Sequence, residues 1–294
     1  MTEIAGQALA KRETRRRAGY SLDLDDRQFA DWAMLLENRL GLFMAPERRS
    51  FLASGLRARM RETGYRDYRD YYDYLASGAR HAEEWSLLVD CLTVHETCFF
   101  RHGSSMRLVR DVVLPEAGKR GEAFNAWSVG CATGEEAYSL AMLIDSHCFS
   151  LPRVCSYRVI GTDISVPSLR HASAGIYLKR RLSKVSEPFR KKYCQSVSSA
   201  RFSIADRLRE NVEFFPLNLR DVAQAPFKNL KLIFCQNLLI FCDRAGRLQL
   251  VDCLAEFLCP GGVLVLGPGE VLNWQHPSME KVRCDDTLAY RRAE

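Results

Sequence analysis

The chain has no run approaching the ~20 uninterrupted apolar residues that a bilayer-spanning helix needs, so none is expected. Its first residues, MTEIAGQALAKRETRRR, carry basic side chains with no apolar stretch behind them. That is not the pattern of a secretory signal, and a cytoplasmic protein is the expectation. Among the eleven cysteines there is no C-x-x-C pair, which argues against structural zinc, whose ligands come at short, recognisable spacings. The cysteines lie scattered, mostly in apolar runs such as LKLIFCQNLLIFC and VDCLAEFLC, so buried free thiols and no metal are expected. A G-x-G-x-x-G run is missing as well, and so are internal repeats and low-complexity tracts.

Nor is there a strong excess of one charge. The 294 residues hold 42 Lys/Arg against 36 Asp/Glu, and 47% are hydrophobic, ordinary values for a soluble globular chain of one large domain or two smaller ones. The placement of charge says more. Residues 39–61 hold six arginines against Glu47 alone, and 171–210 hold ten Lys/Arg against three acids. Such regions are either solvated helix faces or surfaces for an acidic partner.

Residues 1–24 read as a loose basic arm. From 25 to 92 the pattern is helical: Phe29, Trp32, Leu35, Leu36 and Leu40 recur at helical steps, as do Phe51, Leu52, Leu56 and Met60. Pro46 suits the opening of the second helix and Gly64 its left-handed cap. Tyr68 to Leu75 and Trp85 to Val94 suggest two more helices. A linker, 93–121, leads to a different texture from 122 to 294. There AFNAWSV, YRVIGTD, VEFFPLN, LKLIFCQN and GGVLVLG read as strands, with helical segments such as EEAYSLAMLID and RLQLVDCLAEFL between them. That alternation predicts a parallel sheet covered on both faces. MEKVRC and TLAYRRA suit a closing antiparallel pair, and about 180–211 an inserted small β element.

The strongest local signal is Gly130-Cys131-Ala132-Thr133-Gly134-Glu135-Glu136, a strand exit that opens a helix. Closely spaced glycines let backbone approach a ligand at such a place. Two glutamates in the helix's first turn would repel a pyrophosphate but suit a ligand bearing ammonium and sulfonium charge, such as S-adenosylmethionine; they are also ordinary partners of the helix dipole. Asp163, ending the next strand, is placed to bind ribose hydroxyls or to cap a helix. The later strand exits Leu217-Asn218-Leu219 and Cys235-Gln236-Asn237-Leu238 would open on the same crevice. Arg101 offers a planar fork for a carboxylate, unless it is an ordinary surface residue.

In combination these segments resemble the CheR family of chemoreceptor methyltransferases. TVHETCFFR is similar to a family motif ending in T-x-F-F-R, and WSVGCATGEEAYSLAM to its glycine-glutamate motif. GTDIS, VEFFPLNL, LIFCQNLLIFCD and PGGVLVLGPGE follow in the family's order, and RLGLFMAPERR resembles its N-terminal domain. The resemblance implies an α/β fold: a Rossmann-like class I SAM-dependent methyltransferase sheet with a small all-α N-terminal domain and an inserted β-subdomain. It implies that His95, Thr97, Arg101, Glu135, Asp163, Asn218, Leu219, Gln236 and Asn237 bind S-adenosylmethionine, and that Arg101 serves catalysis. It implies transfer of a methyl group to receptor glutamates, leaving S-adenosylhomocysteine, with Arg57, Arg59 and Arg61 as contacts to an acidic receptor coiled coil.

The chain departs from the family pattern at Gln236, usually Arg, at Phe241, usually Tyr, and at Pro268-Gly269, usually His-Ser. The loop at Gln195–Ala200 is short and lacks glycine, so no tether to a receptor's C-terminal pentapeptide is expected. The alternatives are a methyltransferase acting on nucleic acid or a small molecule, and a cofactor-binding regulator without catalysis. The exit CQNL lacks the Pro-Pro-aromatic element of base amino-methylation, so no nucleic-acid partner is expected.

Overall fold

The computed structural model describes residues 23–78, 81–93, 96–118, 123–151, 155–284 and 286–294. Most of the predicted basic arm, and His95, lie outside the described residues. The chain divides into a helical unit, residues up to 35 with 44–92, and a sheet unit, 36–43 with 93–294. Residues 36–43, expected with the helices, thus group with the sheet.

The helical unit contains the first part of α1 (Asp26–Leu40), α2 (Arg49–Thr63), α3 (Tyr68–Ala76) and α4 (Ala82–Leu92). Pro46 opens a 3₁₀ turn that runs directly into α2, and Gly64 ends α2 at φ +81°. Asp67 caps α3, its carboxylate accepting the N–H groups of Arg69 and Asp70. The periodic apolar positions form the core: Trp32, Leu52, Leu56, Tyr71, Leu75 and Leu88 are each at most 1% exposed. Trp32 meets Tyr72 edge-on with ring centres 5.3 Å apart.

A buried polar triad sits inside this core. The Arg59 guanidinium grips the Glu84 carboxylate through two bonds of 3.0 and 2.7 Å, and the Tyr71 hydroxyl donates to the same carboxylate at 2.6 Å. The bond to Glu84 raises the Arg59 pKa above its ordinary value. Arg59 is therefore bound inward, which corrects its expected place on a docking surface. Its position two residues from both Arg57 and Arg61 did not reveal Glu84, 25 positions away.

The sheet unit begins with α5 (Gly103–Leu108), a π-helical turn (Val109–Val113) and α6 (Leu114–Gly118), so the expected linker is largely helical. Next come β1 (Phe124–Val129), α7 (Glu135–Ser150), β2 (Tyr157–Asp163) and α8 (Val166–Ala174). The insertion is a three-stranded sheet of β3 (Ile176–Leu178), β4 (Cys194–Ser196) and β5 (Arg201–Ile204), with α9 (Glu187–Tyr193) inside it and α10 (Asp206–Arg209) after it. It starts earlier than the sequence suggested, because Gly175 at φ +62° stops α8 and frees Ile176 and Tyr177 to pair with β5. The chain then gives β6 (Val212–Pro216), β7 (Leu230–Cys235), α11 (Arg244–Ala255), β8 (Leu258–Leu266), β9 (Met279–Val282) and β10 (Leu288–Arg292).

The main sheet has seven strands in the order β6-β2-β1-β7-β8-β10-β9. The first five are parallel, and β10 runs antiparallel to both β8 and β9. Alternating side chains feed two cores: Ala126, Val159 and Phe234 pack on one face with Leu140 of α7, whereas Trp127, Ile160 and Ile233 pack on the other with Val251 of α11. From β1 the chain builds outward through β2 to β6, then returns to place β7 on the other side of β1. That reversal opens a crevice at the carboxyl ends of β1 and β7.

One correction concerns the cysteines. Cys148, near the end of α7, and Cys155, before β2, are disulfide-bonded, while nine others are free thiols. The pair has no metal-like spacing. The two Cα atoms lie 5.3 Å apart, a proximity that spacing alone did not show.

Candidate cofactor site

The crevice floor is the turn from β1 into α7. Gly130 (φ +71°), Ala132 (φ +46°) and Gly134 (φ +91°) all take left-handed conformations, which L side chains avoid. The Gly130 and Cys131 N–H groups donate to the Thr162 carbonyl at 2.8 and 2.9 Å, which ties the turn to β2. A Cβ on Gly134 would lie 2.7 Å from that of Ala172, so glycine is required for packing as well as for conformation.

Asp163 holds the other side of the turn. Its carboxylate accepts the Ala132 N–H and the Ser165 N–H, both at 2.9 Å. The cap of α8 is Ser165, which accepts the Ser168 N–H, and not Asp163; Asp163 fixes the backbone of the turn and lines the crevice with Gly130, Ala132, Leu219, Asn237, Leu238 and Phe241.

Of the two glutamates opening α7, Glu135 is 1% exposed. It takes a bond from the Thr133 hydroxyl (2.6 Å) and lies 3.6 Å from the Arg181 guanidinium. Burial raises its pKa. Glu136, not singled out among the expected site residues, accepts a bond from the Ser128 hydroxyl at 2.7 Å. Burial pushes it up to about 8, opposed by that bond and by the charge of Arg101, while the charge of Glu270 adds to the rise. A cation arriving beside it favours its ionised form.

Arg101 precedes α5. Phe100 adopts φ +53° and donates its N–H to Ser139 on α7 at 3.0 Å, while Phe99 is fully buried edge-on to Tyr177. These contacts lock the Arg101 segment against α7, and the guanidinium also donates to the Glu96 carbonyl at 2.6 Å. Thr97 contributes its carbonyl to Arg181.

Asn218 caps the 3₁₀ turn Leu219–Gln224 and donates to the Arg39 carbonyl at 2.8 Å. Gln236, by contrast, is 5% exposed, and its amide nitrogen donates to Ser105 (2.8 Å) and to the Leu266 carbonyl (3.0 Å). It supports the crevice from beneath and does not line it. The expected residues brought to the crevice wall are therefore Asp163, Leu219 and Asn237, with Arg101 acting electrostatically on Glu136.

Three groups escaped sequence reasoning. Glu136 was visible only as the second of two glutamates. His102 lies 2.6 Å from Asn237 across 135 positions of sequence. Glu270 accepts the Gly267 N–H at 2.9 Å, and burial raises its pKa.

The donor set of this crevice suits S-adenosylmethionine. Asp163 in its wall is an acceptor for hydroxyl and cationic groups, and the turn offers a glycine where a Cβ on Gly130 would strike Leu238 at 2.9 Å. Gln236 Oε1 and Glu270 Oε1, which do not line the crevice, are buried acceptors without a bond among the described residues.

The family description "CheR methyltransferase, SAM binding domain" matches residues 95–288, and "CheR methyltransferase, all-alpha domain" matches 27–93. The chain belongs to the CheR methyltransferase family. It is 27% identical over 273 residues to a chemotaxis protein methyltransferase of Vibrio parahaemolyticus, covering 92% of this chain and 98% of that one. It is 30% identical over 253 residues to chemotaxis protein methyltransferase 2 of Vibrio cholerae, covering 85% and 87%. A solved magnesium protoporphyrin IX methyltransferase from Synechocystis with bound SAM aligns at 15% identity and TM-score 0.37, over 74% of this chain and 86% of that one. Like its family, the chain is a SAM-dependent methyltransferase with a Rossmann-like sheet and an all-α N-terminal domain. Among the described residues no helix is long and apolar enough to cross a membrane, and no group of three His, Cys, Asp or Glu could hold a metal ion.

Proposed function

We propose that this CheR-family chain methylates glutamate side chains of a methyl-accepting chemotaxis receptor in the cytoplasm. The observation that carries the reading is Asp163 in the crevice wall, together with a Glu136 carboxyl that feels the charge of Arg101: the two carboxyls suit a cationic methyl donor, and Arg101 suits an ionised acid. The names of the relatives, chemotaxis protein methyltransferases, point to the same kind of substrate. S-adenosylmethionine supplies an electrophilic methyl group when bound.

What the chain must do is modest, because a glutamate side chain, with a pKa near ~4.3, is already ionised at neutral pH. No residue has to remove a proton. Arg101 orients the carboxylate, the α7 glutamates and Asp163 hold the donor's polar ends, and Phe241 and Leu238 keep water from the reacting centre. A phenyl ring at position 241 is compatible with this division of labour, since no hydroxyl is called on.

Docking of an acidic receptor helix falls to Arg57 and Arg61 on α2, with Arg59 engaged by Glu84. The β4–β5 hairpin turn, closed by the Val197 and Ser198 N–H groups on the Arg201 carbonyl, is short, which supports docking without a pentapeptide tether.

Tritiated methyl transfer to a purified receptor fragment tests the function. The expected label is released as methanol in alkali, as esters are. Alkali-stable label would indicate a nitrogen target. Cofactor binding without transfer to any receptor fragment would favour a regulator.

A further inference from the structure

His102 and Asn237 meet at 2.6 Å through the imidazole Nε2 and the carboxamide Oδ1. A carboxamide oxygen can only accept, so the ring nitrogen carries the proton in this contact. Asn237 stands at φ +60° two residues beyond the end of β7 and lines the crevice. Asparagine tolerates that conformation better than most residues, yet it persists only where surrounding contacts hold it. The same stretch of chain that provides His102 also provides Ser105, which accepts from the amide of Gln236 at 2.8 Å. Two successive residues at the exit of β7 are thus held by one turn of α5 and the residue before it. With Oδ1 occupied, the Asn237 N–H₂ group is left without a partner among the described residues.

We propose that His102 is a positioning residue for the cofactor: by holding the Asn237 oxygen, it fixes that carboxamide with its N–H₂ group toward the crevice, as a donor to an acceptor atom of the bound nucleoside. Were His102 absent, the carboxamide could rotate and present oxygen or nitrogen equally, and half of its orientations would repel the acceptor. The proposal rests on the crevice being the cofactor site.

The test is a double-mutant cycle on the full chain, with S-adenosylhomocysteine binding measured by calorimetry. His102→Ala is expected to weaken binding about tenfold, equivalent to about 1.4 kcal/mol. Asn237→Ala should weaken it at least as much, and the double variant no more than Asn237→Ala alone, because His102 acts through Asn237. His102→Gln, which keeps a donor, should recover part of the loss. Methyl transfer at saturating donor should change by less than about threefold in His102→Ala, since the lost contact serves binding. Losses that add in the double variant, or an unaffected His102→Ala beside a weakened Asn237→Ala, would overturn the role of His102. If Asn237→Ala alone binds normally, the assignment of the crevice falls first. Should His102→Ala fail to fold, the His102→Gln and His102→Gln/Asn237→Ala pair supplies the same comparison.

Discussion

Glu136 is the residue whose chemistry is most measurable. Its carboxyl is pushed from an ordinary 4.5 to about 8 in the folded protein, so the native state binds a proton that the unfolded state releases. Stability must then fall as pH rises from about 4.5 to about 8. Glu136→Gln removes this penalty, and its melting temperature is expected to exceed that of the parent by a margin that widens across that window. A cationic donor favours the carboxylate, so binding near pH 7 should release protons and tighten as pH approaches 8. Calorimetry in buffers of different ionisation enthalpy reads the proton count; a count of zero would show that Glu136 does not sense the donor. S-adenosylhomocysteine, which lacks the sulfonium charge, should release fewer. Arg101→Ala is expected to lower transfer about a hundredfold or more with its melting temperature nearly unchanged, since oriented charge at a reacting group carries effects of that size. Near-normal turnover would remove Arg101 from the mechanism.

Among the elements, the turn from β1 into α7 and the core of the helical unit set the sharpest constraints. Gly134→Ala would require a Cβ at φ +91° and 2.7 Å from the Cβ of Ala172. A loss of about 1–3 kcal/mol from the left-handed strain alone is expected in chemical denaturation, with cofactor binding impaired in parallel. In the helical unit, Glu84→Ala leaves the Arg59 guanidinium and the Tyr71 hydroxyl buried without their shared acceptor. The expected cost is about 3–5 kcal/mol, larger than for a surface pair, because a buried charge loses its bidentate partner and keeps only the exposed Glu62 at 4.0 Å. A melting temperature within a degree or two of the parent would mean that water reaches Arg59 once Glu84 is gone.

For the whole molecule, net charge alone says little, since +6 is modest, but segregation of charge predicts a salt effect. The KM for an acidic receptor fragment should rise steeply with ionic strength, whereas the affinity for the cofactor, enclosed in the crevice, should change much less. Joint charge reversal of Arg57 and Arg61 should flatten that salt dependence. An unchanged slope would place docking elsewhere.

At every one of these scales the line between sequence and structure falls in the same place. Periodicity fixed which residues are interior and which elements form, because burial of Trp32, Leu52, Trp127 or Ile233 is dictated by spacing along a helix or strand. Motif order was enough to locate the strand exits and hence Asp163, Leu219 and Asn237. Side-chain partners brought together from afar were not legible: Glu84 turning Arg59 inward, Ser105 and Leu266 engaging Gln236, His102 meeting Asn237, and Cys148 reaching Cys155. Local patterns record how a segment sheds water. Which polar group answers which across the fold depends on the packing of segments that no spacing rule connects, and only the tertiary structure decides it.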